Sequence, residues 1–141
     1  MTGSQISTDL IRAYEATDYR VLEPVPFTMK IGKPSMALAD LYRCAGSSTA
    51  CVITAWNPRS EIRSDAENDA AQRHLVADLD RAGLKHLPAL GTDPTQEWKG
   101  EASLLVLGAA QAIVKELGTR YGQNAIVWAE ADAVPRLIFL R

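Results

Sequence analysis

Residues 49–56, Thr-Ala-Cys-Val-Ile-Thr-Ala-Trp, form an almost unbroken run of small, apolar and β-branched side chains. A strand with one wet face alternates polar and apolar positions, so a run without alternation reads as a strand covered on both faces. The run halts at Asn57-Pro58, where proline cannot donate to a ladder. Beyond a polar stretch, Ser64 and Glu67 stand at the S-x-x-E spacing of a capping box, and Ala71, Leu75, Leu79 and Ala82 make an apolar stripe that ends at Gly83. Strand, polar turn and capped helix in that order restrict the chain to folds in which helices pack on a sheet.

The remaining pattern extends this reading. Residues 8–17 place Leu10, Ile11 and Tyr14 at helical spacing, with Asp9 in the first turn where the helix dipole favours it. Residues 19–22 and 27–31 are brief strands around Pro24 and Pro26, which suit an edge or a bend. A second helix is expected over 35–45, with Gly46 as its C-cap. Residues 84–90 read as a short strand and 91–100 as a loop that contains Asp93-Pro94 and carries Trp98. A strand is expected over 102–107, then a helix over 109–121 whose buried face is Ala109, Ala112, Ile113 and Leu117. Residues 124–128 and 136–140 are strands whose connection is too short for a helical crossover, which predicts a C-terminal antiparallel hairpin with Ile126, Trp128, Leu137 and Phe139 inward. The expected fold class is α/β (α+β): one layer of mixed sheet, about five strands, with three to four helices packed on it in a single domain over 1–141.

Composition narrows the function classes. Fifteen basic against 17 acidic residues create no global field to draw nucleic acid or an anionic membrane, so nucleic acid is not an expected partner. No apolar run approaches the ~20 residues of a bilayer span, and the N-terminal stretch has no signal-peptide pattern, so the expected location is the cytoplasm and no membrane partner is expected. Cys44 and Cys51 lack CxxC spacing and a neighbouring histidine. They read as buried small hydrophobes, and no metal site is expected.

Chemistry concentrates where the buried strand meets the capped helix, since ligands of layered sheets gather at such ends. Trp56, Asn57, Arg59, Ser60 and Asn68 are the candidate ligand-binding residues there, joined by Gln123 from the Gly122-Gln123-Asn124 turn. Each also has a structural explanation. Asn57-Pro58 is a common turn former, the capping box accounts for Ser64 and Glu67, and Trp56 brings enough apolar area to serve as core or pocket wall. Asn68 lies one position past the box with no capping duty, so a ligand contact explains it best. Arg59 and Arg63 beside a helix N-terminus favour an anion. Glu67 and Glu101 are the candidate catalytic carboxylates, on the reasoning that paired carboxylates at a cleft make an acid–base device. Gly-rich phosphate loops, the G-x-S-x-G elbow and H-E-x-x-H do not occur, and His74 and His86 have no evident nucleophile partner.

The run TAWNPRSEIRSDAEN over 54–68, Pro88, Asp93-Pro94 with Trp98, Glu101-Ala102-Ser103, and the stretch from Tyr121 to Trp128 together resemble the bacterial family known as domain of unknown function 3293. The resemblance covers residues 14–141. It implies a bacterial chain of one domain and names no reaction, cofactor or catalytic residue. The family pattern would place a second acidic residue before the serine, where this chain has Ala102. The expected function is therefore binding of an anionic small molecule or nucleotide at the N-terminus of the 64–83 helix, with a non-catalytic protein-interaction or regulatory domain, docking through the Trp98 loop, as the alternative. No cofactor is identified by the sequence, and whether the chain is an enzyme stays open.

Overall fold

The structure, a computed structural model, describes residues 6–96 and 100–141. In chain order its elements are α1 (Thr8–Ala16), β1 (Asp18–Val21), β2 (Phe27–Met29), α2 (Met36–Ala45), β3 (Ala50–Ile53), a 3-10 turn (Pro58–Ser60), α3 (Asp65–Arg81), β4 (Lys85–Thr92), β5 (Glu101–Leu107), α4 (Gln111–Arg120), β6 (Ala125–Ala129) and β7 (Arg136–Phe139). The strands form one seven-stranded sheet in the order β2-β1-β4-β5-β3-β6-β7, curled into a half-barrel.

Every pairing is antiparallel, which corrects the expected mixed sheet of about five strands. The reason lies in the crossovers. β3-α3-β4 and β5-α4-β6 are strand–helix–strand units, which ordinarily place their two strands side by side and parallel. Here each unit skips one position: β5 occupies the slot between β3 and β4, and β3 occupies the slot between β5 and β6. The segment from β3 to β6 is thus a split β-α-β-β-α-β arrangement. β1 and β2 extend it past β4, and β7 extends it past β6, forming the expected C-terminal hairpin. All seven segments read as strands enter this one sheet, where about five had been expected to, and β4 runs on through Gly91 and Thr92, beyond its expected end at residue 90. The Trp98 loop tip falls outside the described residues.

Alternation along the strands sorts the core into two faces. On one, Cys51, Ile53, Leu104, Val106, Ile126 and Trp128 meet Leu75 and Leu79 of α3 and Val114 and Leu117 of α4. On the other, Val52, Leu105, Leu107 and Val127 meet Leu38 and Tyr42 of α2. β3, buried at all four residues, serves both. Cys51 is buried as expected, but Cys44 is exposed.

The helix termini follow local chemistry. Ser64 Oγ accepts from the Glu67 N–H while the Glu67 carboxylate accepts from the Ser64 N–H, so the capping box is complete. Gly46 closes α2 at φ 67°, a left-handed position that glycine occupies without strain. The face expected for the fourth helix is right for Leu117, which is buried, and wrong for the rest: Val114 and Gly118 turn inward with it, while Ala112 is exposed and Ile113 is 44% exposed. Ala109 is buried, but ahead of the helix. In the hairpin, Ile126 and Trp128 are buried, Leu137 is half-buried, and Phe139 is 40% exposed on the edge strand, contrary to its expected inward position.

Candidate functional site

The α2 end of the concave face is filled by large side chains; the other end is not. One cross-strand level there carries Ala89 of β4 opposite Ser103 of β5, continued by Thr54, just past β3, and by Ala125 of β6. The next level places Tyr19, Gly91 and Glu101 in a row across β1, β4 and β5. Gly91 contributes no side chain between the tyrosine and the carboxyl group. Small residues at these levels leave a cavity of about 510 Å³. Its floor is Val52, Val127 and Leu137, its roof is Leu10, Ala13 and Tyr14 of α1, and its mouth is the segment after β3.

That segment is tightly specified. Asn57, Arg59 and Ser60 have φ of 44°, 58° and 60°, three non-glycine residues in the left-handed region within four positions. Each costs about 1–2 kcal/mol and persists only where surroundings impose it. The impositions are visible. Asn68, 2% exposed on α3, accepts from the Asn57 backbone N–H at 2.8 Å and donates its amide to Asn57 Oδ1 at 2.8 Å. Asn57 Oδ1 also accepts from the Arg63 N–H at 3.0 Å, closing the loop on itself. Behind it, the Arg59 N–H donates to the Gly122 carbonyl at 2.7 Å, and Gln123 donates to the Trp56 carbonyl at 3.2 Å. Asn124 donates to Ser60 Oγ at 3.0 Å. A β-carbon on Gly122 would stand 3.0 Å from that of Pro58, so the helix-to-strand turn is built to receive this loop.

Glu101 is the acidic group inside. Loss of water around its carboxyl raises its pKa above the usual glutamate value, against a weaker opposing effect of the Asn57 amide, which donates to Oε1 at 3.4 Å. Two phenols share the space. Tyr19 donates to the Tyr14 carbonyl at 2.9 Å, and the Tyr14 hydroxyl stands beside the Ser60 and Asn124 side chains, which partly offset the effect of burial on it. Burial raises both phenol pKa values, so both stay protonated at neutral pH.

Of the residues singled out in the sequence, Trp56, Asn57, Ser60, Asn68, Gln123 and Glu101 all border this cavity. Arg59 is exposed and does not line it, because its left-handed backbone carries it away from the mouth. Glu67 is also exposed, its carboxylate engaged by Ser64, which lowers its pKa; it does not pair with Glu101 across the cleft. Tyr14, Tyr19, Thr17, Thr54 and Gly91 were not anticipated. The inward alternation of Tyr19 and Val21 in Asp18-Tyr-Arg-Val was a readable signal for Tyr19. Among the described residues no group of three or more His, Cys, Asp or Glu side chains is arranged to hold a metal.

A family model described as "Protein of unknown function (DUF3293)" matches residues 53–126. The chain belongs to this family. The matched span starts at the last residue of β3 and ends at the second of β6, so it takes in the 57–60 loop, α3, Glu101 and Gln123. In this DUF3293 chain α1 and β1, which supply Tyr14, Thr17 and Tyr19 to the cavity, stand outside the matched span. Comparison with curated proteins and with solved structures yields no match. The Glu101-Ala102-Ser103 stretch lies in β5, where alternation sends residues 101 and 103 to the concave face and Ala102 to the opposite one. The departure from an acidic residue at 102 therefore leaves the cavity side of the strand unchanged. Among the described residues, no helix is long and apolar enough to cross a membrane.

Proposed function

We propose that this DUF3293 chain is a small-molecule-binding protein that takes its ligand into the concave end of the curled sheet, beneath α1 and behind the 57–60 loop. The observation that carries this reading is the cavity itself: about 510 Å³, apolar at the floor, with a few polar groups converging on it. Ligand sites are concave, of ~300–1,000 Å³, and combine apolar walls with sparse, well-placed polar groups. A concave site also favours a small molecule over the alternative of a protein-docking domain, which calls for a flat, partly apolar surface.

The anionic ligand expected from the sequence has limited support in the arrangement. Arg63 at the rim favours an anion, but it stands 3.5 Å from Glu61, and Arg59 faces away. The N-terminal turn of α3 is already served by Ser64 and Glu67, while Glu101 and Asp65 border the same space. The ligand best matched to the walls is largely apolar with at least one polar end.

A thermal-shift screen of a diverse small-molecule library tests the proposal, because a ligand that binds only the folded chain raises its melting temperature. Gly91→Val is the control. Its φ is ordinary and a β-carbon there meets nothing closer than 3.7 Å, so valine is compatible with β4 while its methyls enter the cavity. Compounds that stabilise the wild type are expected to lose their effect on a well-folded Gly91→Val. Undiminished binding by that variant would place the ligand elsewhere and overturn the proposal.

A further inference from the structure

Glu101 is half-buried and faces the cavity with few partners for its carboxyl group. Of the two phenols that share its space, Tyr19 donates its proton to the Tyr14 carbonyl, and Tyr14 stands beside Ser60 and Asn124. The Asn57 amide reaches it only at 3.4 Å. Arg63, the one cationic side chain among the described cavity-lining residues, sits half exposed at the rim beside Glu61. Among the described residues, the Asn57 amide is the one side chain that offsets the effect of burial on Glu101. A buried carboxylate needs a hydrogen-bonded or charged partner, and here the side of the group that faces open space is the cavity.

The walls around that space are aromatic as well as aliphatic: Tyr14, Tyr19 and Trp56 border it together with Val52 and Val127. Aromatic faces attract cations, more strongly when water is excluded. A carboxylate beside the Asn57 loop and ring faces along the wall define a complementary shape, a positive head on an apolar body.

We propose that the cavity recognises a small organic ammonium ion, with its charged nitrogen at Glu101 and an apolar, ring-sized body against Tyr14, Tyr19 and the Val52–Val127 floor. This rests on the reading of the cavity as the ligand site. Charge pairing at Glu101 selects the amine, and the aliphatic floor supplies affinity for the body. The titratable and charged groups around the nitrogen would be Tyr14 from α1, Tyr19 from β1, Arg63 from the loop, Asp65 from α3 and Glu101 itself. Loss of water raises the Glu101 pKa above the usual glutamate value, so an amine bound as a cation should be held more weakly on acidification, as Glu101 takes up its proton.

Isothermal titration with a matched set, 2-phenylethylamine, 2-phenylethanol and phenylacetate, tests the inference on the full chain at pH 7.5. The amine is expected to bind at least tenfold tighter than the alcohol, with phenylacetate weakest, and to lose that advantage at pH 4.5. Glu101→Gln should abolish the amine's preference while leaving alcohol binding within about twofold, and Glu101→Asp, which keeps the charge, should restore part of it. If the alcohol or phenylacetate binds as tightly as the amine in the wild type, or if Glu101→Gln keeps the full preference, the ammonium inference falls while the cavity reading stands. If none of the three binds at millimolar concentration, the inference also falls, and the library screen with Gly91→Val decides the cavity reading separately.

Discussion

Replacing Asn68 with alanine probes the joint on which the site hangs. Asn68 is 2% exposed and makes two reciprocal hydrogen bonds of 2.8 Å with Asn57, one to its backbone and one to its side chain. Losing two such bonds costs about 1 kcal/mol each, and stranding the half-buried Asn57 N–H adds about 1 kcal/mol more. Alanine is the better helix former and returns about 0.5 kcal/mol. The net is a destabilisation of about 2–3 kcal/mol, which in a chain of this size lowers the melting temperature by about 6–9 °C. Urea denaturation followed by circular dichroism should show a lower midpoint at unchanged slope. A double-mutant cycle with Asn57→Gly isolates the pair, since glycine accepts the φ of 44° without strain and removes only the side chain. The coupling should be about 1–2 kcal/mol. An Asn68→Ala protein within 0.5 kcal/mol of wild type, or additive with Asn57→Gly, would refute the argument that this pair holds the loop.

Two further substitutions test the interior. Burial raises the Glu101 pKa in the folded chain, so the folded state holds this proton more tightly than the unfolded one; below the unfolded value of about 4.3 no penalty exists, and it grows as pH rises through the raised folded value. Glu101→Gln should therefore melt higher than wild type at pH 7, with the gap closing toward pH 4 in a series of thermal scans, and a gap that widens on acidification would reverse the assignment. Gly118→Ala introduces a β-carbon 2.5 Å from Leu140 Cδ1 and 3.0 Å from Ile126 Cγ2, so overpacking of about 1–3 kcal/mol outweighs a helix-propensity gain of about 1 kcal/mol. Guanidinium titration should show net destabilisation, partly relieved by adding Leu140→Ala, and a stabilised Gly118→Ala would mean that α4 does not press on the hairpin as described.

The elements that periodicity and capping specify locally were legible. The buried run that became β3, the capping box of α3, Gly46 after α2 and the C-terminal hairpin are each set by residues within a few positions of one another. What depends on distant partners was not. The direction of β4 and β5 relative to β3 is decided by which strand fills the slot beside it, and no local pattern encodes a skipped position. The inward face of α4 is set by the sheet it packs on, against which Val114 lies beside Leu117. Asn68 shows the same limit at the level of one side chain. Read along the chain it has no capping duty and looks available for a ligand; in three dimensions its amide is committed to Asn57, eleven residues back. It borders the cavity and also builds its wall, so a loss of binding on its replacement would not by itself identify a contact.

The cavity follows from a relation between residues that no single segment contains. Ala89 and Ser103 are unremarkable in their own strands, as are Thr54 and Ala125 in theirs, and Gly91 alone would suggest only a bulge or a close approach. Register brings them together. With Ala89 opposite Ser103 and Gly91 opposite Glu101, the small residues fall at adjacent levels on the same face, and the side-chain volume missing there is what α1 covers without filling. One and two levels further along, Leu105 and Leu107 from the same strand meet Leu38 and Tyr42 of α2, and the interior closes. A chain under pressure only for stability would fill both ends, because burying apolar area is worth about 25 cal/mol per Å². Keeping one end open, placing an ionisable carboxyl group in it and closing its mouth with three left-handed residues each lower stability, and these costs coincide at one place. Their coincidence is the physical case for a ligand site there.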